Sequence, residues 1–250
     1  MQTGFIGIGV TTDPNRVIES ILRFTRPETV ICYTDEQIAE SYSFPCRVIP
    51  DPEPGHRLIT DLMSGDLAAA VRGTLSSNKT LTTLKKACFV SELERIVLLE
   101  TISGEKFFLA PVGVDEGWTL SQKISLVHKG REISRRFGLS DQVGIISGGR
   151  MSDIGRHPIV DRTLADAELV AKVTGASHYE IRLEDAIRDC GMILAPDGIS
   201  GNLIFRTILF AGKGAAHGAP VVNISKIFVD TSRVNPDYSN ALSLAASMLT

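Results

Sequence analysis

Two short segments in the second half of the chain could bind an anion. Ser232 and Arg233 are adjacent, and an arginine can form two parallel hydrogen bonds to a phosphate while a neighbouring hydroxyl adds a third. Asp197, Gly201 and Asn202 lie where an apolar run gives way to a helical pattern, and the N-terminus of a helix favours anions. Taken alone, the first segment is also typical of a surface turn with a solvated arginine, and the second of an aspartate-capped turn. The pattern favours that ordinary interpretation for both.

A third candidate segment follows a predicted strand at 143–146. Its two consecutive glycines have backbone N–H groups that could form a concave anion site. The segment consists of Ser147, Gly148, Gly149 and Arg150. The alternative interpretation is a flexible loop that only links the strand to the next helix.

A fourth candidate lies at the end of a run of small residues that begins at Ser64. Arg72, Thr74 and Lys79 could face a phosphate, because the small side chains before them permit close packing of the backbone. A packed strand with charged groups on its surface explains the same pattern equally well.

Other motifs with known chemistry are missing from the sequence. Gly4, Gly7 and Gly9 lie within the first predicted strand rather than after it, so they do not match a dinucleotide or S-adenosylmethionine fingerprint. No spacing is typical of a Ser-His-Asp triad or of a Walker A loop. The four cysteines form no C-x-x-C pair and the five histidines are scattered, which predicts reduced thiols and no metal site.

The elements that would position these residues alternate between strand and helix. Apolar runs of strand length occur at 5–10, 29–33, 47–49, 143–146, 192–195 and 221–224, with a hairpin predicted at 96–99 and 106–110. Helices are predicted at 119–137, where Gly138 closes the helix, and at 158–173, 201–210 and 236–249. This alternation predicts an α/β fold with a largely parallel sheet, in which ligands bind where the strands end.

Composition and charge limit the classes of molecule that the protein could bind. The chain has 250 residues, 43% of them hydrophobic, and a net charge of -3. A protein that binds duplex nucleic acid usually shows a basic stripe; the nearest approach, residues 123–136, is typical of a solvated helix face. No apolar stretch approaches the roughly 20 residues of a membrane-spanning helix, and the first ten residues are typical of a strand rather than a signal peptide. We therefore expect a cytoplasmic protein with neither nucleic-acid nor membrane partners.

In their order along the chain, the candidate segments resemble those of the phosphotransacetylase superfamily. The run from Pro196 to Asn202 is similar to the proline-aspartate turn ending in glycine-asparagine of these enzymes, and Ser232-Arg233 to the pair that binds and polarises acyl phosphate. Residues 65–79 are similar to their glycine- and alanine-rich segment. Residues 147–161, together with the short chain, resemble more narrowly the MtxX family of methanogenic archaea, also called methanogenesis marker protein 4.

This resemblance implies a two-lobed α/β/α sandwich like that of isocitrate and isopropylmalate dehydrogenases. Residues 1–86 and 221–250 would form the first lobe and residues 87–220 the second, with the active site in the cleft between them. It also implies a homodimer, a small anionic substrate, and coenzyme A or a related thiol as cofactor. Arg233 would hold the phosphate, Ser232 would hydrogen-bond the developing oxyanion, and Asp237 would be the candidate base. Arg72, Lys79 and the helix start at Gly201 would add positive potential.

The chain departs from the family pattern at three places. The family carboxylate would fall near Ser239, so Asp237 fits only with a gap. Phe210 replaces a second arginine, with Arg206 one turn earlier. Lys79 replaces an arginine that could bind phosphate at two points.

Three functions therefore stay open. The first is a transferase that uses an acyl phosphate or a coenzyme-A-like thiol. The second is a methyltransferase subunit that binds a protein partner in methanogenesis. The third, an S-adenosylmethionine enzyme, is disfavoured by the glycine spacing.

Overall fold

A computed structural model describes residues 4–233 and 235–249 of the chain. The chain divides into two compact units. One is formed by Met1–Leu93 with His217–Thr250, and the other by Glu94–Ala216. Each unit is built on its own set of paired strands with helices packed against them.

The first unit contains a mainly parallel sheet in the order β3-β2-β1-β4-β11-β10. The first five strands in that order run parallel to their neighbours, and β10 is antiparallel to β11. The strands are β1 (Ile6–Gly9), β2 (Val30–Thr34), β3 (Arg47–Pro50), β4 (Ala69–Val71), β10 (Ala215–Pro220) and β11 (Ile227–Asp230). The parallel strands place their carboxyl ends at one edge of this sheet.

The helices of the first unit are α1 (Pro14–Arg23), α2 (Glu36–Ser41), α3 (Pro54–Ser64), α4 (Ser77–Ala87) and α9 (Ser239–Ser247). Helix α3 packs with α4 and α1 with α9, while α2 packs against β3. A proline begins α1 and another begins α3, a position where its missing N–H costs no helical hydrogen bond. Leu58, Ile59 and Leu62 of α3 are fully buried in one hydrophobic cluster with Tyr33 and Phe228 of the sheet.

Packing explains the glycines of the first strand. A Cβ atom on Gly7 would lie 2.5 Å from Leu58 Cδ1, and one on Gly9 would lie 2.0 Å from Leu75 Cδ1. A methyl group at either position would have to displace leucine side chains that fill this space. Packing thus explains the two glycines, and no bound nucleotide is needed to account for them.

The second unit pairs its strands in the order β5-β6-β9-β7-β8. The hairpin of β5 (Val97–Glu100) and β6 (Lys106–Ala110) is antiparallel, and β9 (Met192–Leu194), β7 (Val143–Ile145) and β8 (Ser177–His178) continue in parallel. The helices are α5 (Leu120–Arg136), α6 (Pro158–Thr174), α7 (Leu183–Asp189) and α8 (Gly198–Arg206), and one π-helical turn (Thr207–Ala211) follows α8.

The predicted α/β alternation and the hairpin are confirmed. The strand predicted at 221–224 is wrong, because β10 ends at Pro220 and β11 begins at Ile227. Val221 is buried in the turn between them, so its apolar character comes from core packing. The missed strand β10 has the sequence AAHGAP, which lacks the β-branched and aromatic residues typical of strands. No helix in the described part of the chain is both long and apolar enough to cross a membrane.

Candidate functional site

Three neighbouring parallel strands, β1, β4 and β11, end side by side in the first unit. The segments that follow them carry most of the hydroxyl and charged groups of this edge: Thr11 and Thr12 after β1, Arg72 to Thr74 after β4, and Asp230 to Arg233 at the end of β11. Of the predicted site residues, the first unit thus contains Arg72, Thr74, Lys79, Ser232, Arg233 and Asp237. The others lie in the second unit.

Arg72 is buried and its charge is compensated. Its Nε donates to Oδ1 of Asp230, and its Nη1 donates to the carbonyl of Leu75 at 2.7 Å. Its backbone N–H donates to the carbonyl of Val229 at 3.0 Å. Arg72 therefore fixes the end of β4 to the end of β11, and its guanidinium is occupied by protein acceptors.

Thr74 joins the loops after β1 and β4. Its Oγ1 accepts hydrogen bonds from the N–H groups of Thr11 at 2.9 Å and Thr12 at 3.2 Å, and its carbonyl accepts from Oγ1 of Thr11 at 3.0 Å. On the other side, Oγ1 of Thr231 donates to the carbonyl of Gly73 at 3.0 Å. These contacts hold the ends of three strands in a fixed arrangement.

A cavity of about 660 Å³ opens beside this edge, within the first unit. Thr11 forms part of its wall, and the first turns of α3 and α4 form much of the rest. The lining residues are Thr11, Pro52, Glu53, Pro54, Gly55, His56, Leu75, Ser76, Asn78, Lys79, Thr80, Thr82 and Thr83. The volume suits a small-molecule ligand, and helix N-termini in the wall favour an anionic one.

Lys79 supplies the positive side chain of this cavity. It is exposed, and within the described ranges its ammonium makes no ion pair or hydrogen bond. The ring of His56 is likewise unpaired among the described side chains. Glu53 adds one carboxylate to the same wall. An unpaired ammonium, several hydroxyls and two helix N-termini can bind a phosphate group as a point charge with surrounding donors.

Ser232 and Arg233 follow β11 without regular structure. Their carbonyls both accept from the hydroxyl of Tyr238 at 3.1 Å, which fixes the backbone of the pair. The Arg233 side chain is exposed. Asp237 accepts from the N–H of Ser239 at 2.8 Å and from its hydroxyl at 2.9 Å. The carboxylate of Asp237 thus stabilises the turn into α9. This structural role explains the residue without a function as base for a thiol.

In the second unit, the segment from Asp197 to Asn202 starts α8. Asp197 accepts from the N–H of Ser200 at 2.8 Å as the N-cap, which is why the helix begins three residues before the predicted start. A Cβ atom on Gly201 would lie 1.8 Å from the carbonyl oxygen of Pro111. The amide of Asn202 donates to the carbonyl of Val112 at 3.1 Å. The structure therefore gives each of these three residues a place in the packing of α8.

The loop from Ser147 to Arg150 uses three of its backbone N–H donors within the protein. The N–H of Ser147 donates to the carbonyl of Glu180 at 2.8 Å, that of Gly148 to Oγ1 of Thr163 at 2.9 Å, and that of Arg150 to Asp153 at 2.9 Å. These are the donors that an anion would need. In this conformation they close the loop on itself and on α6.

One set of hydrogen bonds in the second unit, which links a serine, a histidine and a glutamate, was not predicted from the sequence. Oγ of Ser147 lies 2.8 Å from Nε2 of His178, whose Nδ1 lies 2.7 Å from Glu168. No signal in the sequence pointed to it, because β8, the parallel neighbour of β7 that carries His178, is not among the predicted strands. However, Ser147 is 1% exposed and its hydroxyl donates to the carbonyl of Gly149 at 3.0 Å. A nucleophilic serine must give its hydroxyl proton to histidine. The hydrogen bonds of Ser147, His178 and Glu168 therefore fix the loop instead.

The described residues contain no group of three or more histidine, cysteine, aspartate or glutamate side chains that could hold a metal ion. No protein-family model matches the sequence.

Proteins of high similarity occur in methanogenic archaea. One from Methanosarcina acetivorans is 41% identical over 256 residues, covering 99% of this chain and 91% of its own. One from Methanosarcina barkeri is 47% identical over 206 residues, covering 80% of this chain and 76% of its own. Both bear the name "Putative methyltransferase mtx subunit X".

The fold is that of phosphotransacylases. A crystal structure of a branched-chain phosphotransacylase from Enterococcus faecalis matches 98% of this chain and 100% of its own with a TM-score of 0.72, at 14% sequence identity. At that identity the likeness establishes the fold and leaves the activity open. The extent of identity to the Methanosarcina proteins, in contrast, establishes kinship, and the chain belongs to the MtxX family of methanogens.

Proposed function

We propose that this protein binds a small phosphate-bearing anion, of the acyl phosphate or coenzyme A class, in the cavity beside Lys79. The observation that carries the proposal is an unpaired ammonium at a cavity whose wall contains two helix N-termini. Buried Arg72 is paired with Asp230. Lys79 is exposed and its ammonium has no partner among the described residues, and a free lysine at a concave hydroxyl-rich surface favours an external anion.

The neighbouring edge of the sheet would complete the binding site. Arg233 is exposed after β11, and a guanidinium there would hold a phosphate at two points. Ser232 would donate its hydroxyl to the acyl oxygen as negative charge develops on it. The fold shared with phosphotransacylases supports this class of ligand.

Acyl transfer to a thiol would also need a base. Asp237 is a weak candidate, because Ser239 occupies both of its oxygens. We therefore propose that the cavity binds the ligand. Acyl transfer would require a base that the ligand or a protein partner supplies.

Isothermal titration with acetyl phosphate and with coenzyme A tests this assignment. We expect binding by the natural protein, and a loss of about tenfold or more in affinity for Lys79→Gln, since a charge-assisted hydrogen bond contributes about 1.5–3 kcal/mol. Lys86→Gln is the matched control, because Lys86 is exposed near the end of the same helix and outside the cavity lining. No heat with either ligand, or equal weakening by both variants, would exclude the proposed site.

A second candidate function is that of a methyltransferase subunit that acts by binding another protein. The subunit name of the relatives suggests it, and one feature of the second unit favours it. Ile199, Leu203 and Phe210 are 49%, 60% and 45% exposed along α8 and the π-helical turn after it. Ile199 and Leu203 are four residues apart and lie on one side of α8. Co-purification with methyltransferase subunits of the source organism, lost in Leu203→Glu but kept in Lys79→Gln, would favour this function over the first.

A further inference from the structure

Two of the four cysteines lie side by side in the first unit, although they are 14 positions apart in the sequence. Their Sγ atoms are 3.4 Å apart. Cys32 lies in the centre of β2, and Cys46 immediately precedes the neighbouring parallel strand β3, in which Val48 is the partner of Cys32. Cys46 lies in the bend that leads into β3, two residues before Val48. The strand register therefore brings the two thiols together.

The two thiols differ in access and acidity. Cys32 is fully buried, whereas Cys46 is half-buried in the connection between α2 and β3. The hydrogen bond between the two thiols lowers the pKa of the Cys46 thiol. The same hydrogen bond, together with burial, raises the pKa of Cys32. The reachable thiol is thus the one that forms the thiolate, which is the nucleophilic species, and the buried thiol lies within reach behind it.

Metal binding is a poorer explanation of this pair. Among residues 4–233 and 235–249, no cluster of three or more histidine, cysteine, aspartate or glutamate side chains could hold a metal ion. Structural thiolate sites usually use four ligands. Two thiols with no third ligand favour sulfur-sulfur chemistry.

We propose that Cys32 and Cys46 form a reversible dithiol–disulfide site that reacts with low-molecular-weight disulfides. The Cys46 thiolate attacks one sulfur of such a disulfide, forming a mixed disulfide and releasing one thiolate. Cys32 then gives up its proton and attacks the Cys46 sulfur, forming the bond between Cys32 and Cys46 and releasing the second thiol. The protein loses two electrons and two protons, and the small disulfide gains them and becomes two thiols.

The geometry requires little movement. The sulfur atoms must approach by about 1.4 Å, from 3.4 Å to the bond length of a disulfide. Cys46 lies outside regular structure, so its side chain and the short connection before β3 can supply that approach while β2 stays in the sheet.

The other two cysteines serve as internal controls. Sγ of Cys88 is 3.8 Å from Sδ of Met63, and burial raises its pKa. Burial likewise raises the pKa of Cys190. Neither lies beside a second thiol among the described residues, and we expect both to react slowly.

The test is incubation of the natural, reduced protein with oxidised glutathione, followed by peptide mass mapping without reduction. We expect one cross-linked peptide pair that joins Cys32 to Cys46, with a loss of two hydrogens, no retained glutathione, and recovery of both thiols on treatment with dithiothreitol. Cys32→Ala should instead retain one glutathione on Cys46, because the resolving thiol is missing. Cys46→Ala should leave Cys32 unmodified, because that thiol is buried.

Three results would overturn the proposal. They are a glutathione adduct that persists on Cys46 of the natural protein, faster modification of Cys88 than of Cys46, and four unmodified thiols after prolonged incubation. The natural protein alone gives all three readouts, so the test stands even if Cys32→Ala fails to fold. Anion binding does not enter the measurement, which keeps it independent of the proposed function.

Discussion

The carboxylate of Asp230 binds the guanidinium of Arg72 inside the protein, where β11 and β4 end side by side. Both side chains are almost completely buried. This ion pair keeps Thr74 and Ser232 on fixed loops at one edge of the sheet. Arg72, which the family resemblance expected to add positive potential at the anion site, thus has a structural partner, whereas the ammonium of Lys79 is unpaired within the described residues.

Breaking that buried pair should destabilise the first unit strongly. We expect Arg72→Ala to lower the free energy of unfolding by about 3–5 kcal/mol, because Asp230 is left as an uncompensated buried charge. Urea titration followed by circular dichroism measures the loss. Glu19→Ala is the control, since Glu19 pairs with Arg23 on an exposed helix face and such pairs contribute little. Equal effects of the two substitutions would contradict a structural role for Arg72.

Tyr33 should make stability fall at alkaline pH. Its hydroxyl donates to Oδ2 of buried Asp61 at 2.8 Å, and burial, followed by this hydrogen bond, raises the pKa of Tyr33 above its ordinary value. The unfolded chain loses the tyrosine proton near pH 10, while the folded chain keeps it. The contribution of Tyr33 to the free energy of unfolding is therefore fully present below about pH 10 and is lost as pH rises further.

Tyr33→Phe tests this contribution. At neutral pH we expect a loss of about 1–3 kcal/mol, because the Asp61 carboxylate loses a donor. Above about pH 10 the variant should lose stability less steeply than the natural protein. Some slope should remain, since burial also raises the pKa of Tyr179 and Tyr238. Urea unfolding midpoints across this pH range give the comparison, and identical slopes would show that Tyr33 ionises equally in both states.

Gly201 should tolerate no side chain. A Cβ atom would meet the carbonyl oxygen of Pro111 at 1.8 Å, so Gly201→Ala must move α8 and should cost about 1–3 kcal/mol. Leu203→Ala on the exposed side of the same helix should cost far less. Thermal unfolding of the two variants decides the point. A neutral Gly201→Ala would contradict this packing role.

Periodicity in the sequence predicts much of the fold, because most elements bury one clear face. Thr119 and Gln122 form the reciprocal cap that begins α5, and the pattern of apolar residues locates that helix correctly. β10 was missed because its alanines and Gly218 carry no strand signal; its neighbours in the sheet, rather than its own side chains, determine its conformation.

The candidate site is less predictable than the fold. The sequence identifies Lys79 and Arg72 as basic residues near a strand end, but it cannot show that Asp230, 158 residues away, compensates one of them. For the same reason it cannot reveal the contact of Cys32 with Cys46 or that of Ser147 with His178. These pairs depend on strand register, which becomes visible only when the sheet order is known.

The most direct test of the central claim is the reactivity of Lys79 toward an amine-acylating reagent, with and without saturating inorganic phosphate. Mass mapping of each lysine reports its modification, and Lys86 on the same helix is the internal reference. If the cavity binds a phosphate-bearing anion, phosphate should protect Lys79 and leave the modification of Lys86 unchanged. Equal modification of Lys79 with and without phosphate would contradict anion binding at this cavity.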